Sequence, residues 1–291
     1  MFLVLFVVNS MNFSAQLKLT IKLVRREGRR LRAAMRHGSL AESPVLFANS
    51  FPKSGTHLLT QVLEGFARVA PMALSGLPAV VMFDGPTGRP RPLNAILRDL
   101  DRFRPGDVGY GHLHALPPIV ERLCAPGRAA FFIYRDPRDV VVSHVHYVTE
   151  MEPNHVHHAY YRSLPDFESR LRTSILGRPD LDVPFPDIRA RFEPYLGWLE
   201  RPEVLALRFE DFITHREETL LRVVEHAQVR GLRLPLGVEA TLRALNSAID
   251  PRRSPTFRSG KIGKWREAFT PEIEALFNDV AGDLVERLGY G

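Results

Sequence analysis

Cysteine is almost missing from this chain, with one residue, Cys124, in 291. That excludes an internal disulfide and any cysteine-based metal site, and it points to a reducing compartment, the cytoplasm. Cys124 also makes a poor nucleophile, since it follows Leu123 at the end of an apolar helical stretch; it reads as a packed thiol. Long apolar runs are missing too. Met1 to Val8 is almost wholly apolar, but a membrane span needs ~20 such residues. The run also lacks the positive n-region and small-residue cleavage site of a signal peptide. Two readings stand: a functional segment, or a start placed too early, with Met11 the initiator. No internal repeat, heptad run or low-complexity tract is present, which excludes solenoids and coiled coils. Acidic residues are outnumbered, 33 Asp and Glu against 39 Lys and Arg, for a net charge of +6. Such a balance favours nucleic acid, a membrane surface or a phosphorylated small molecule, without choosing among them.

The length suits one α/β domain with an appended segment, or two small domains. A hydrophobic content of 45% is enough for a sizeable core, and excludes disorder across the whole chain. From Leu17 to His37 the pattern predicts a basic helix. Lys18, Lys22, Arg25, Arg26, Arg29, Arg30, Arg32 and Arg36 stand against a single acid, Glu27. Leu17, Ile21, Val24 and Leu31 fall roughly at helical spacing, an apolar stripe beside a charged face. A peripheral membrane anchor has this form, and so has a solvated arm. Gly38 to Pro44 reads as a linker, after which the folded domain begins.

Val45–Ser50 is an apolar run of strand length. It turns through Phe51–Gly55 into a helix over Thr56–Ala70, with Leu58, Leu59, Val62, Leu63 and Phe66 on one face. A second strand–turn–helix unit runs from Phe131–Tyr134 into a helix from Asp139 to about Tyr147. A third runs from Val204–Arg208 into a helix around Glu217–His226. Apolar strands alternating with helices predict a mostly parallel sheet covered on both faces. Met72–Pro92 and Thr149–Pro186, rich in Pro, Gly, Arg and His, read as irregular walls of a binding site.

Two turns carry the chemistry. At Pro52-Lys53-Ser54-Gly55-Thr56 a strand turns sharply into a helix, which aims free backbone N–H groups and the helix dipole at whatever lies above. Lys53 adds a charge, and Ser54 and Thr56 add hydroxyls, so the turn reads as an anion cradle; a plain turn with a surface lysine is the bland alternative. It is not a Walker A loop, because Lys53 precedes Gly55 and Ser50 stands where an early glycine belongs. The second turn is Arg135-Asp136-Pro137-Arg138-Asp139. Arg135 stands at the carboxyl end of a strand, and Ser143 lies two turns into the next helix. Together they can grip a second phosphate. Read blandly, Arg135 and Asp136 form a surface ion pair worth little.

These segments resemble those of the sulfotransferases that use 3′-phosphoadenosine-5′-phosphosulfate (PAPS). Phe51–Thr56 is similar to the family's 5′-phosphosulfate loop, and Arg135–Ser143 to its Arg-x-Pro-x-Asp-x-x-x-Ser 3′-phosphate motif. Arg258-Ser259-Gly260-Lys261-Ile262-Gly263-Lys264-Trp265-Arg266 resembles its Arg-Lys-Gly-x-x-Gly-x-Trp-Lys segment. Arg208-Phe209-Glu210-Asp211 is a weaker match to its Tyr-Glu-Asp strand end. The four lie in the family's order from Phe51 to Arg266, which makes the set far more specific than any one motif. The resemblance implies an α/β fold of three layers, a parallel sheet flanked by helices, like nucleotide kinases. It implies a sulfotransferase domain over 41–291, preceded by the apolar start and basic arm over 1–40. PAPS would be the co-substrate, with no metal. Lys53 would stabilise charge on the leaving phosphate; Pro52, Ser54, Gly55, Thr56 and His57 would hold the 5′-phosphate. Arg135, Ser143, Arg258, Ser259 and Gly260 would hold the 3′-phosphate, and Phe209 would border the nucleotide.

The resemblance also implies a histidine base just before the 3′-phosphate strand. Gly111-His112-Leu113-His114 lies there. His112 fits the family's Gly-His-Leu pattern, and His114 is its rival, because strand alternation puts both on one face. Four positions depart from relatives. Leu58 stands in place of an adenine-stacking tryptophan, Ser259 of a lysine, Phe209 of a tyrosine and Tyr110 of a lysine. These weaken nucleotide affinity more than they remove activity. The histidines at 144, 146, 155, 157 and 158 have spacings that can bind metals, but without a carboxylate or Cys framework they read as structural or as acceptor-pocket residues. The acceptor is a small-molecule, glycan or lipid hydroxyl or amine, and peripheral membrane contact through the arm stays open. A nucleotide-dependent kinase and a non-catalytic basic binder of nucleic acid or membrane are the competing classes; nucleic acid is not an expected partner.

Overall fold

The computed structural model describes residues 21–254 and 260–291. Met1–Val8, Met11, Leu17, Lys18, Arg258 and Ser259 lie outside the described residues. The chain is helical from residue 21 to residue 37 (α1). There follow β1 (Val45–Ser50), α2 (Thr56–Gly65), β2 (Ala73–Leu74), β3 (Val80–Val81), α3 (Leu93–Leu100) and β4 (Asp107–His112). Next come α4 (Pro117–Cys124), β5 (Arg128–Tyr134), α5 (Pro137–His146), α6 (His158–Ser163), α7 (Phe167–Leu176) and α8 (Ile188–Leu196). The last part holds β6 (Val204–Arg208), α9 (Asp211–Thr214), α10 (Arg216–Val229), α11 (Gly237–Ala248), α12 (Trp265–Ala268) and α13 (Pro271–Arg287).

The strands form one sheet in the order β2-β4-β1-β5-β6, with β3 also paired to β4, and every pairing is parallel. Period-two alternation divides the central strands between two cores. Val45, Phe47, Ala130 and Phe132 face one; Leu46, Ala48, Ala129, Phe131 and Ile133 face the other. That is why β1 is buried along its whole length and why the fold has three layers. Each fully buried Phe side chain here contributes about 1.5–3 kcal/mol. The sheet matches the expected fold class.

Strand order reverses at β1. The chain leaves it towards β2 and β4 on one side and crosses to β5 and β6 on the other. In open α/β sheets ligands bind beyond the carboxyl ends of the strands at such a switch point. The turns singled out in the sequence follow the carboxyl ends of β1, β4, β5 and β6.

Several local readings are corrected. Thr149–Pro186 is not irregular: it holds α6 and α7, the latter capped by Asp166, which accepts from Ser169 N at 2.8 Å. β5 starts three residues earlier than Phe131, and α5 starts at Pro137, with Asp136 as its cap. The α2 helix gives way to a single 3₁₀ turn at Phe66–Arg68.

Candidate functional site

The last two residues of β1 are polar although they are buried. Asn49 donates to Leu113 O at 3.0 Å and accepts from Leu113 N at 2.8 Å, which fixes the chain just after β4. Ser50 Oγ lies 2.8 Å from Thr56 Oγ1 and 3.1 Å from His112 Nδ1. His112 Nδ1 is also 3.0 Å from the carbonyl of Ser50. A carbonyl only accepts, so Nδ1 carries the proton and Nε2 of the neutral ring is a free base. Burial depresses the His112 pKa, the Ser50 carbonyl partly opposes this, and His57 and Lys53 add to the depression.

His112 is brought against β3 by a close backbone approach. A Cβ at Gly111 would stand 2.2 Å from Val80 O, so only glycine admits β3 there. The strand ends at His112, and the turn held by Asn49 breaks the alternation expected to carry His114 to the same face. His114 sits edge-on between Phe83 (5.8 Å) and Tyr195 (4.8 Å). Burial lowers its pKa to about 4. His112 lines the main cavity and His114 does not.

In the turn after β1, Lys53 has a left-handed backbone, φ 68°, and Gly55 another, φ 98°. A Cβ on Gly55 would lie 2.7 Å from Phe209 Cδ2 and 3.1 Å from Ile133 Cδ1, so the turn is pressed onto the core. The hydroxyl of Ser54 is buried and has no hydrogen-bond partner among the described residues. A buried donor of that kind costs about 1–3 kcal/mol unless something occupies the cradle. The Lys53 ammonium stands 3.9 Å above the Tyr147 ring. Burial first, and then Arg135, lower its pKa to about 8. His57 is also depressed, by burial and by Lys53.

After β5, Arg135 does not pair with Asp136. Its Nη2 donates to Asp139 Oδ2 at 3.0 Å and to Lys261 O at 2.8 Å, and its guanidinium lies 4.5 Å over the Phe209 ring. Arg135 Nε is buried and makes no hydrogen bond among the described residues, but it stands 3.9 Å from Glu210 Oε1, an ion pair at the end of β6. Asp136 caps α5 through Arg138 N (2.9 Å) and pairs with the Arg138 side chain. Asp139 accepts in addition from Gly263 N (2.8 Å) and Trp265 N (3.0 Å), tying the segment around Gly263 to Arg135. Arg138 stacks 4.0 Å over Trp265. At the end of β6, Glu210 accepts from Asp136 N and from the Tyr290 hydroxyl (2.6 Å), which locks the β5 and β6 turns together.

All of this surrounds one cavity of about 1120 Å³. Pro52, Lys53, Gly55, Thr56, His57, His112, Arg135, Ser143, Phe209 and Gly260 line it, as does Leu58. Residues not singled out in the sequence also line it: Tyr147 and Tyr195, Met82 and Phe83, and Ile213, Arg216 and Ile249. Tyr147 had a legible signal, since it lies one turn beyond Ser143 on the same helix face. Arg216 and Ile249 had none.

Of the histidine cluster, His155 stays in ring contact with His144 (6.0 Å) and His157 (5.5 Å), but the ring nitrogens turn to separate partners. His144 Nδ1 bonds Ser174 Oγ (2.9 Å), His157 Nε2 donates to Val183 O (2.7 Å), and His158 Nδ1 donates to Val148 O (2.6 Å). His146 pairs with Glu150, and His155 faces the cavity beside Tyr147. Among the described residues no group of three His, Cys, Asp or Glu side chains is arranged to hold a metal. Nor is any described helix long and apolar enough to cross a membrane.

A parallel sheet with an anion cradle after its central strand and a second cationic grip on the neighbouring strand defines a class of nucleotide-using transferase. The family model for the sulfotransferase domain matches residues 130–289, more than half of the chain, and the chain belongs to that family. Mouse sulfotransferase SULT7A1 complexed with PAP has the same fold at 20% identity, with a TM-score of 0.55 over 91% of this chain and 90% of its own. Retinol dehydratase in complex with androsterone and the inactive cofactor PAP is similar at 15% identity, with a TM-score of 0.57 over 89% of this chain and 85% of its own. No curated protein matches the chain in sequence.

Proposed function

We propose that the chain transfers a sulfuryl group from PAPS to an acceptor hydroxyl or amine. One observation carries this reading: Lys53, His112 and Arg135 stand at the carboxyl ends of three adjacent central strands and line one cavity. Ser54 Oγ and Arg135 Nε, both without a hydrogen bond among the described residues, support an anionic occupant, with Ser54 behind the cavity wall and Arg135 Nε also 3.9 Å from Glu210 Oε1. Lys53, Ser54, Gly55, Thr56 and His57 hold the 5′-phosphosulfate, with Pro52 shaping the turn. Arg135, Ser143 and Gly260, with Arg258 and Ser259, hold the 3′-phosphate. Phe209, Leu58 and Ile249 offer the base an apolar seat without a stacking tryptophan.

His112 Nε2 takes the proton of the acceptor as its oxygen or nitrogen attacks sulfur in line. The bond from sulfur to the 5′-phosphate oxygen breaks, and its electron pair stays on that oxygen, where Lys53 balances the charge. Met82, Phe83, Tyr147 and Tyr195, which also line the cavity, fit a small-molecule acceptor with an apolar body; a glycan or lipid hydroxyl is the broader alternative. The transferase domain is assigned to residues 41–291; residues 1–40 hold α1, whose Arg26 and Arg30 pair with Asp107 of the domain, and peripheral contact with a membrane in the cytoplasm is assigned to that helix.

Melting-temperature shifts with PAP, and transfer from labelled PAPS to a panel of phenols, sterols and sugars, test the proposal. PAP should stabilise the wild type, and Arg135→Ala should abolish that shift. Stabilisation by ATP but not PAP would sink it. His112→Ala should lower transfer by about 10²–10⁴-fold with PAP binding intact. If His114→Ala does this instead, the base is misassigned.

A further inference from the structure

α1 is amphipathic, and it docks through arginines, a buried Ala33 and a Leu23 packed on the core, which leaves its larger apolar stripe outside. Arg26, 3% exposed, pairs with Asp107, which is fully buried, and Arg30 reaches the same carboxylate at 2.8 Å. Arg29 donates to Leu74 O at 2.6 Å and to Ser75 O at 2.8 Å, on the sheet edge. These arginines bind the helix to the domain. Ile21, Val24, Leu31 and Met35 are left outside, at 42%, 67%, 64% and 79% exposure.

At about 100° per residue the four fall within roughly 80° of arc, opposite the buried arginines. Arg25, Arg32 and Arg36 are exposed along one border of that stripe. Glu27, the helix's one acid, is drawn off by Arg104. Both features would be idle on a helix facing only water.

We infer that α1 lays this outer face on an anionic lipid bilayer, its four apolar side chains in the acyl boundary and Arg25, Arg32 and Arg36 on the headgroups. Charge selects this occupant over a second copy of the chain. A symmetric pair would set three arginines against three, while anionic headgroups complement them. The inference names the surface for the proposed membrane contact and stands apart from sulfuryl transfer. Asp107 opens β4 and His112 closes it, so the docked edge lies about 16 Å along the strand from the proposed base.

The test is sedimentation of the full chain with phosphatidylcholine vesicles, with and without phosphatidylglycerol. Binding should need the anionic lipid and fall with salt. Arg25→Gln/Arg32→Gln/Arg36→Gln should weaken it on the order of a hundredfold, about fivefold per charge. Val24→Glu/Leu31→Glu should abolish it. All five side chains are exposed, so melting temperature and PAP shift should match wild type in both variants. The inference is overturned if the wild type ignores anionic vesicles or if both variants bind as the wild type does. A Leu31-dependent dimer in sedimentation velocity, with no lipid binding, would assign the face to a second copy instead.

Discussion

Replacing Asp139 should uncouple the segment around Gly263 from the nucleotide grip. Its carboxylate is shut off from solvent and accepts three hydrogen bonds, from Arg135 Nη2, Gly263 N and Trp265 N. Asp139→Ala removes all three. A hydrogen bond to a charged group contributes about 1.5–3 kcal/mol, so the two amides should exchange with solvent roughly ten- to hundredfold faster. Arg135 keeps Lys261 O and the Phe209 face, so it loosens rather than detaches. PAP affinity should therefore fall about tenfold, the lower end of the same range. Hydrogen exchange over residues 260–268 and calorimetric PAP binding measure both on one sample. Asp139→Asn keeps one acceptor oxygen and should fall between. Accelerated exchange with unchanged PAP affinity would show that the segment closes independently of Arg135, and the coupling argued from geometry would be wrong.

The dependence of kcat/KM on pH should be bell-shaped. His112 must be neutral and is depressed, so the acid limb should fall below pH 6.5. Lys53 must be protonated and titrates at about 8, so the alkaline limb should lie there. Lys53→Arg should remove the alkaline limb, and a limb that persists in that variant belongs to another group. Gly55→Ala should cost about 2–5 kcal/mol in urea unfolding, from about 1–2 for a left-handed alanine and about 1–3 for overpacking against Phe209 and Ile133. A loss below 1 kcal/mol would mean that the turn relaxes freely.

The parts of the fold legible in the sequence are those where one local pattern meets one neighbour. β1 and β6 are short apolar runs with turn residues after them, and their bounds were readable as they stand. β5 was readable only from Phe131, because Arg128, Ala129 and Ala130 look unlike a strand until β1 pairs with all three and β6 with Ala130. The cradle at Lys53 and the grip at Arg135 were legible for a related reason: each is a strand end running into a helix. What joins them was not. Asp139 reads as a first-turn acid, and only the fold shows that it answers to residues 124 and 126 positions away.

The two histidines and the arm share one failure of periodic reasoning. Alternation gives the face of His114 only while the strand lasts, and the strand ends where Asn49 captures Leu113. Helical spacing gives which residues of α1 lie together, but it does not say which side meets the protein. That choice was made by Asp107, a carboxylate buried at the start of β4 that would be costly to leave unpaired. Two arginines from 81 and 77 residues upstream answer it. The pair fixes which side meets the protein: Ala33 is buried and Leu23 packs on the core, while Ile21, Val24, Leu31 and Met35 are left facing outward.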